Sequence, residues 1–411
     1  MRTVTFIVIA IIVLATFNFV AIRTLLLVHP RRKRVIIAAA VIGNLMWLFF
    51  PLLRTLTPMG RITRAVFGPP WFAWTSFTIL YSAFTLVLAI LRLPLLGRVS
   101  FAKFARPPST VVLSLGLVAS IVGCYQALVP LRVEHVPIEV EGLPAGAEGT
   151  RIVLLADLHV GLFTRRSRLQ QFFETARDLR PDIVVIAGDL IDDDPYFIPK
   201  LLQGTRFLDP HTPLLAVLGN HEMYGDPDRV IGGLRGSRIR LLVNEGIPLR
   251  SLWLAGISDY AARQKDLAPD IARALNARPP ATLPILLAHQ PKAFDEARSR
   301  HIPLTLVGHT HGGQCGIRPL RWSLAGLFLP YHMGLYRRGA SQLYVNTGTG
   351  FWFVPFRLGM TGEITLIELR RVSTSPQFSS ILSVARSSAR VGPMFTIAIG
   401  TLRSAARFTN R

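Results

Sequence analysis

The chain has 411 residues, half of them hydrophobic and only 17% charged, and its 46 Lys and Arg against 24 Asp and Glu give a formal net charge of +22. That length asks for at least two structural units, and the apolar excess leans toward a membrane protein. The positive balance suits an anionic lipid surface better than nucleic acid, because the Arg residues flank apolar runs or scatter and no nucleic-acid-binding motif stands among them.

Four apolar stretches come first, roughly Val4–Val28, Val35–Leu53, Trp71–Leu93 and Thr110–Leu131, each close to the ~20 residues that span a bilayer. Arg23 can snorkel to the interface, and Trp47, Trp71 and Trp74 suit an aromatic belt. A cleavable signal peptide fits the first stretch less well, because its apolar core is long and no A-x-A site follows. His29-Pro30-Arg31-Arg32-Lys33-Arg34 separates the first two stretches, and Arg92, Arg98, Lys103 and Arg106 lie between or beside the last two. The other side offers Arg2, Arg54, Arg61, Arg64 and Arg132. Positive-inside weighting puts the first set in the cytoplasm. Residues 1–132 are therefore expected to be a multi-pass anchor of four transmembrane helices in a cell or inner membrane, with everything after Leu131 outside the cytoplasm.

The texture then changes. Val133–Val140 nearly alternates and reads as an edge strand, where Pro137 is tolerable. Short apolar runs follow at Ile152–Ala156, Ile183–Ala187, Leu214–Leu218, Leu252–Ala255, Ile285–Ala288 and Leu304–Val307, suiting strands buried on both faces. Leu169, Phe172, Phe173, Ala176 and Leu179 give Arg165–Leu179 a helical pattern. Residues 133–371 thus read as a layered α/β domain. Five of the runs lead into potential ligands: Asp157 and His159, Asp189, Asn220, His289, then His309 and His311. Open α/β sheets bind ligands beyond the carboxyl ends of their strands. A spacing of two keeps Asp157 with His159, and His309 with His311, on one face. One such His is most often a surface or satisfied core residue, and Asp189 alone could be a turn residue; the repetition points to a metal site. The two cysteines, Cys124 and Cys315, form neither a disulfide framework nor a CxxC zinc motif. Imidazole and oxygen ligands without thiolate suit Mn, Fe or Zn, with Mg as a further choice, and seven ligands are too many for one ion.

In order, Asp157-Leu158-His159, Gly188-Asp189-Leu190-Ile191-Asp192, Gly219-Asn220-His221-Glu222, His289 and Gly308-His309-Thr310-His311 resemble the motifs of the calcineurin-like metallophosphoesterases over roughly residues 151–369. The resemblance implies a two-sheet α/β/β/α sandwich and a metal-dependent phosphoric ester hydrolase with two divalent ions. By the same resemblance Asp157, His159 and His311 bind one ion, Asn220, His289 and His309 bind the other, and Asp189 bridges them. His221 is implied to be the general acid, with Asp192 orienting it. Asp193 and Asp194 stand where the protein phosphatases of this family carry Arg-Gly, which argues against a phosphoprotein substrate. Gly312-Gly313-Gln314 and Tyr344-Val345-Asn346-Thr347-Gly348 look like the membrane-associated phosphodiesterase branch, some of whose relatives act on lipid or lipid-precursor phosphates.

The expected function is a membrane-anchored phosphodiesterase or phosphomonoesterase acting on a phosphate ester, with membrane lipids as neighbours and no nucleic-acid partner. A UDP-diacylglucosamine-type pyrophosphatase and a non-catalytic metal-binding membrane scaffold are the alternatives. Trp322, Leu324, Leu327, Phe328, Leu329 and Tyr331 form either a membrane-facing lid or ordinary core, as do Phe351-Trp352-Phe353. Arg318, Arg321, Arg337, Arg338 and Arg357 are candidates for a phosphate or an anionic headgroup. The basic, Ser-rich tail over 372–411 is either disordered or spread on a membrane.

Overall fold

A computed structural model describes residues 2–56, 60–95, 97–128, 131–352 and 354–372. Phe353 and the tail from 373 onward lie outside the described residues.

The apolar third forms four long helices, α1 (Arg2–Val28), α2 (Lys33–Leu56), α3 (Gly60–Leu91) and α4 (Phe101–Leu128). Ala21, Leu25 and Tyr81 pack together, as do Val28, Leu88 and Ala105. The phenol of Tyr81 reaches Ser109 Oγ at 2.5 Å, which satisfies two polar groups buried between α3 and α4. Among the described residues, Ala73–Leu91 and Phe101–Leu128 are each long and apolar enough to cross a membrane. Ile12–Val28 and Pro30–Met46 meet that test only as a pair bent by 109°. The four expected helices are present; two of them pass this test, and the bent pair adds up to one further span. Pro30 at the break supplies no backbone donor, so the helix ladder is interrupted there.

The remainder is a sandwich. In chain order come β1 (Leu131–Val140), β2 (Arg151–Leu155), α5 (Arg166–Asp178), β3 (Ile183–Ala187), α6 (Ile198–Thr205), β4 (Leu214–Val217), α7 (Asn220–Tyr224), α8 (Pro227–Leu234) and β5 (Ile239–Leu241). Then follow β6 (Glu245–Leu249), β7 (Leu252–Gly256), α9 (Ile271–Leu275), β8 (Leu283–Leu287), α10 (Ala293–Ser299), β9 (Leu304–Val307), β10 (Gly316–Ile317), β11 (Trp322–Ser323), β12 (Gly334–Arg338), β13 (Ser341–Val345) and β14 (Gly362–Arg371). One sheet has the order β1-β14-β2-β3-β4-β5 and the other β12-β13-β9-β8-β7-β6. Strands β2 to β5 are parallel in the first sheet, and β7, β8, β9 and β13 in the second.

Period-two alternation assigns each strand residue to a layer. Ile152, Leu154, Ile183 and Val185 meet Leu254, Ile285, Leu287 and Leu306 in the core between the sheets. Val153, Leu155, Val184 and Ile186 face outward beneath Leu169, Phe172 and Phe173 of α5 and Leu201 of α6. On the other side Trp253, Ala255, Leu286 and Val307 lie beneath Ala274 of α9 and Phe294 of α10. The result is an α/β/β/α order of four layers. Strands β2, β3, β4, β8 and β9 are covered on both faces, and the polar residues noted above sit in the turns after them.

Candidate metal centre

Five of the seven candidate ligands occupy left-handed backbone: Asp157 (φ 52°), His159 (φ 43°), Asp189 (φ 49°), His309 (φ 74°) and His311 (φ 49°). Such a conformation costs about 1–2 kcal/mol per non-glycine residue, and strain of this kind collects at functional sites. Here it turns the chain sharply at each strand end. Cross-links then fix the turns to one another: Asp157 N–H donates to Gly188 O (3.1 Å), His159 N–H to Asp189 O (3.0 Å) and Gly308 N–H to His289 O (3.0 Å). Gly188 (φ 82°) and Gly219 leave no room for a side chain, since a Cβ would lie 2.5 Å from His289 Nδ1 in the first case and 2.1 Å from Asp189 Oδ1 in the second.

All seven side chains are drawn into one cluster, six of them buried and His309 half-buried. His159 Nε2 is 3.0 Å from His311 Nε2, and His311 Nε2 is 3.6 Å from Asp157 Oδ1. His289 Nε2 is 3.0 Å from Asn220 Oδ1 and 3.1 Å from His309 Nδ1. Asp189 Oδ2 faces both groups, 3.6 Å from His159 Nε2 and 3.2 Å from His289 Nε2. Asp157, His159 and His311 offer ligand atoms all within 4.8 Å of one another, as do Asp157, Asp189 and His289.

The donor set fits metal ions. Imidazole nitrogens directed at one another at 3.0 Å repel unless a proton or cation lies between them. Ligands about 2.1 Å from a common ion and at right angles are about 3.0 Å apart, which matches the separations at His159/His311 and Asn220/His289. Burial lowers the His311 pKa, and the nearby His159 lowers it further. His309 is pushed down to about 3 by burial and by His289. Neutral imidazoles of this kind are ready to ligate. Burial also works against charge on Asp189, yet His289, His159 and His221 hold its carboxyl well below the usual range.

The structure corrects the expected support of His221. Asp193 Oδ1, not Asp192, lies 2.7 Å from His221 Nδ1, while Asp192 Oδ1 lies 3.2 Å from His159 Nδ1. The reason is local. A β-bridge between Val160 and Ile191, with Asp192 N–H donating to Val160 O (3.2 Å), holds this stretch extended. Successive side chains then face opposite ways. Burial lowers the His221 pKa, but Asp193, Asp189 and Asp192 outweigh it and raise it to about 9. Asp193→Asn should therefore weaken the hold on the imidazolium and move the basic limb of the kcat–pH profile to lower pH. Asp192→Asn should move it less, because Asp192 acts only through space. A pH–rate series on both variants checks this.

Two further residues support the site: Glu222, which the sequence reading gave no role, and Arg357, which it read as a candidate for a phosphate or headgroup. Glu222 is fully buried and accepts amides from Gly219 (2.7 Å), Asp189 (3.1 Å) and Ile191 (3.1 Å). It pins the β3 and β4 exits together; its place directly after His221 in the third strand-end motif was the available signal. Glu222→Ala would orphan three buried N–H groups at about 1–3 kcal/mol each, so thermal unfolding should shift to clearly lower temperature, with Glu222→Gln between it and the parent. Arg357 is fully buried, with its guanidinium on the carbonyls of Thr347 (3.0 Å), Gly348 (3.1 Å) and Met360 (3.1 Å), and Nη2 3.2 Å from His311 Nδ1. Arg318 is committed to Glu363 (2.8 Å) and Glu134 (3.2 Å). Neither arginine is available for the headgroup role read from the sequence. Tyr331 packs on Phe294 and Tyr336, whereas Trp322, Leu324, Leu327, Phe328 and Leu329 are exposed.

Residues 150–313 match the calcineurin-like phosphoesterase family. The chain is 36% identical over 222 residues to an uncharacterized metallophosphoesterase of Helicobacter pylori (strain J99), covering 53% of this chain and 59% of that one. It is 33% identical over 277 residues to a zebrafish (Danio rerio) transmembrane protein with metallophosphoesterase domain, covering 64% of this chain and 63% of the relative. It is 30% identical over 237 residues to the Bacillus subtilis metallophosphoesterase YkuE, covering 55% of this chain and 80% of that protein. The chain thus spans about 59% of the length of the first of these relatives.

Proposed function

Because the chain belongs to the calcineurin-like metallophosphoesterases, we propose that it hydrolyses a phosphate ester beside a membrane, using two divalent ions held by the seven clustered side chains. The observation that carries this reading is the position of Asp189, whose Oδ2 faces both ligand groups at 3.6 and 3.2 Å. Asp157, His159 and His311 would hold one ion and Asn220, His289 and His309 the other. When bound, such a pair clamps a phosphate, supplies a nucleophile from water near neutral pH and neutralises the leaving oxygen. Manganese, iron, zinc or magnesium suits the oxygen and nitrogen donors.

The protein's own part is proton delivery and shape. Asp193 fixes His221 through Nδ1, so Nε2 is the nitrogen from which a proton can pass to the departing alkoxide. His221 lies in one cluster with His159 and Asp189, with ligand atoms within 4.8 Å. A plain metal-binding scaffold needs no such protonated imidazole, which favours catalysis. Asp194 caps the turn at Tyr196 N–H (3.0 Å), so the Asp193-Asp194 pair has structural employment in place of the phosphoprotein-binding Arg. Full-length protein with Mn²⁺ should hydrolyse a nitrophenyl phosphodiester or monoester. No turnover with Mn, Zn, Mg or Fe ions would sink this reading.

The orientation rests on α4. Lys103 and Arg106 lie at its start, where Arg106 Nε donates to Val28 O (2.9 Å) and His29 Nε2 meets Ser109 Oγ (3.0 Å). The two basic loops therefore gather at one end of α4 and the sandwich follows the other. With α4 as a crossing helix, positive-inside weighting supports a sandwich outside the cytoplasm for any number of earlier crossings. A phosphatase reporter joined after Arg371 should be active in an extracytoplasmic assay; activity of a cytoplasm-dependent reporter there would reverse the orientation.

A further inference from the structure

The segment from Gly316 to Met333, which begins shortly after His311, is an arm with an unpartnered apolar surface. Ile317, Leu320, Trp322, Leu324, Leu327 and Phe328 are all exposed, Leu320 by 72% and Phe328 by 81%. The same stretch holds Arg318 and Arg321 but no Asp or Glu. An exposed apolar patch of this kind marks an interaction surface.

The arm is firmly built. Arg318 anchors its first turn through Glu363 (2.8 Å), Glu134 (3.2 Å) and Thr347 (2.6 Å). Leu324 and Ala325 close over Gly313, where a Cβ would lie 2.5 Å from Ala325 N. Its base is joined to α4. Gly316 N–H donates to Leu358 O (2.9 Å), Gly359 N–H donates to Gln126 Oε1 (2.7 Å) and Arg357 N–H donates to Gly123 O (2.9 Å). The Phe356 ring occupies the space a side chain at Gly123 would take.

Depth follows from helix geometry. From Ser109 to Leu128, α4 rises about 30 Å at 1.5 Å per residue, the thickness of a hydrocarbon core. Gly123 lies about 7 Å inside the end of that rise. With α4 read as crossing from Ser109 to Leu128, the loop docked on Gly123 and Gln126 would lie at the bilayer boundary, and the arm's base is hydrogen-bonded to that loop.

We propose that the arm inserts Leu320, Trp322, Leu327 and Phe328 into the leaflet that α4 enters, so that the chain is held at the bilayer on the sandwich side as well as by its helices. The composition suits that leaflet: apolar and indole side chains enter the interfacial region, and Arg321, whose guanidinium donates to the carbonyls of Met333 (3.1 Å) and Leu335 (3.2 Å), adds a cation that favours anionic lipid. The inference rests on reading α4 as a crossing helix and is independent of the chemistry at the metal centre.

The test uses the full chain in nanodiscs of phosphatidylcholine and phosphatidylglycerol. A diazirine amino acid is placed singly at Phe328, at Leu117 in α4, or at Arg177 on the exposed side of α5. Photolysis should give lipid adducts at Phe328 and Leu117, exceeding those at Arg177 by about tenfold, as interfacial burial requires. A Phe328 yield equal to that of Arg177 would overturn the proposal, as would crosslinks from Phe328 to a second copy of the chain in place of lipid. Absence of adducts at Leu117 would overturn it together with the crossing of α4, leaving the phosphoesterase reading intact. Leu327→Asp with Phe328→Asp should keep turnover of a soluble nitrophenyl diester within about twofold, as expected of exposed sites away from the chemistry.

Discussion

Asp189→Asn should strip the protein of its paired ions and lower turnover by about 10³-fold or more. The seven side chains contain only two carboxylates, Asp157 and Asp189, to set against two divalent charges. Asp189 is also the one whose Oδ2 faces both groups, and its Oδ1 accepts the backbone N–H of His221 at 3.0 Å. The Asn side chain keeps the volume and one acceptor, so the fold should persist while half the anionic charge goes. A loss of about 4 kcal/mol of metal-derived transition-state stabilisation corresponds to about 10³ in rate. Metal analysis of the purified variant should give less than one equivalent, with circular dichroism unchanged. Two retained equivalents would show that Asp189 does not bridge.

His221→Ala should separate chemistry from binding. Its metal content should equal that of the parent, because the His221 backbone N–H that meets Asp189 survives the change. Loss of a general acid costs about 10²–10⁴ in kcat, and KM should move little. The loss should grow with the basicity of the leaving group: a nitrophenolate departs without a proton, whereas an alkoxide does not. Equal losses for aryl and alkyl esters would mean that His221 only shapes the site.

The strands that carry the site were legible because they are covered on both faces, which forces uninterrupted runs such as Ile183–Ala187. The chain hides other parts for physical reasons. Strand β6 holds Gly246 and Pro248 and is an edge, and β10 and β11 have two residues each, too short for a period. Strand β14 enters the first sheet from the far end of the domain, between β1 and β2, so its pairing is a tertiary event. Among Asp192, Asp193 and Asp194, which carboxylate meets His221 depends on the bridge from Val160 to Ile191, two segments distant in sequence. Arg357 read as a candidate for a phosphate or headgroup, but five backbone and side-chain acceptors drawn together by the Gly348 and Gly350 turns bury it completely. The four apolar stretches announced helices, but not the 109° bend between Ile12–Val28 and Pro30–Met46.

The most direct test of the two-ion centre is a titration of metal-stripped, full-length protein with Mn²⁺ while hydrolysis of a nitrophenyl phosphodiester is followed. Turnover should rise until two equivalents per chain are bound and then level off. Full turnover at one equivalent, or none after saturation with any of the four ions, would contradict the account.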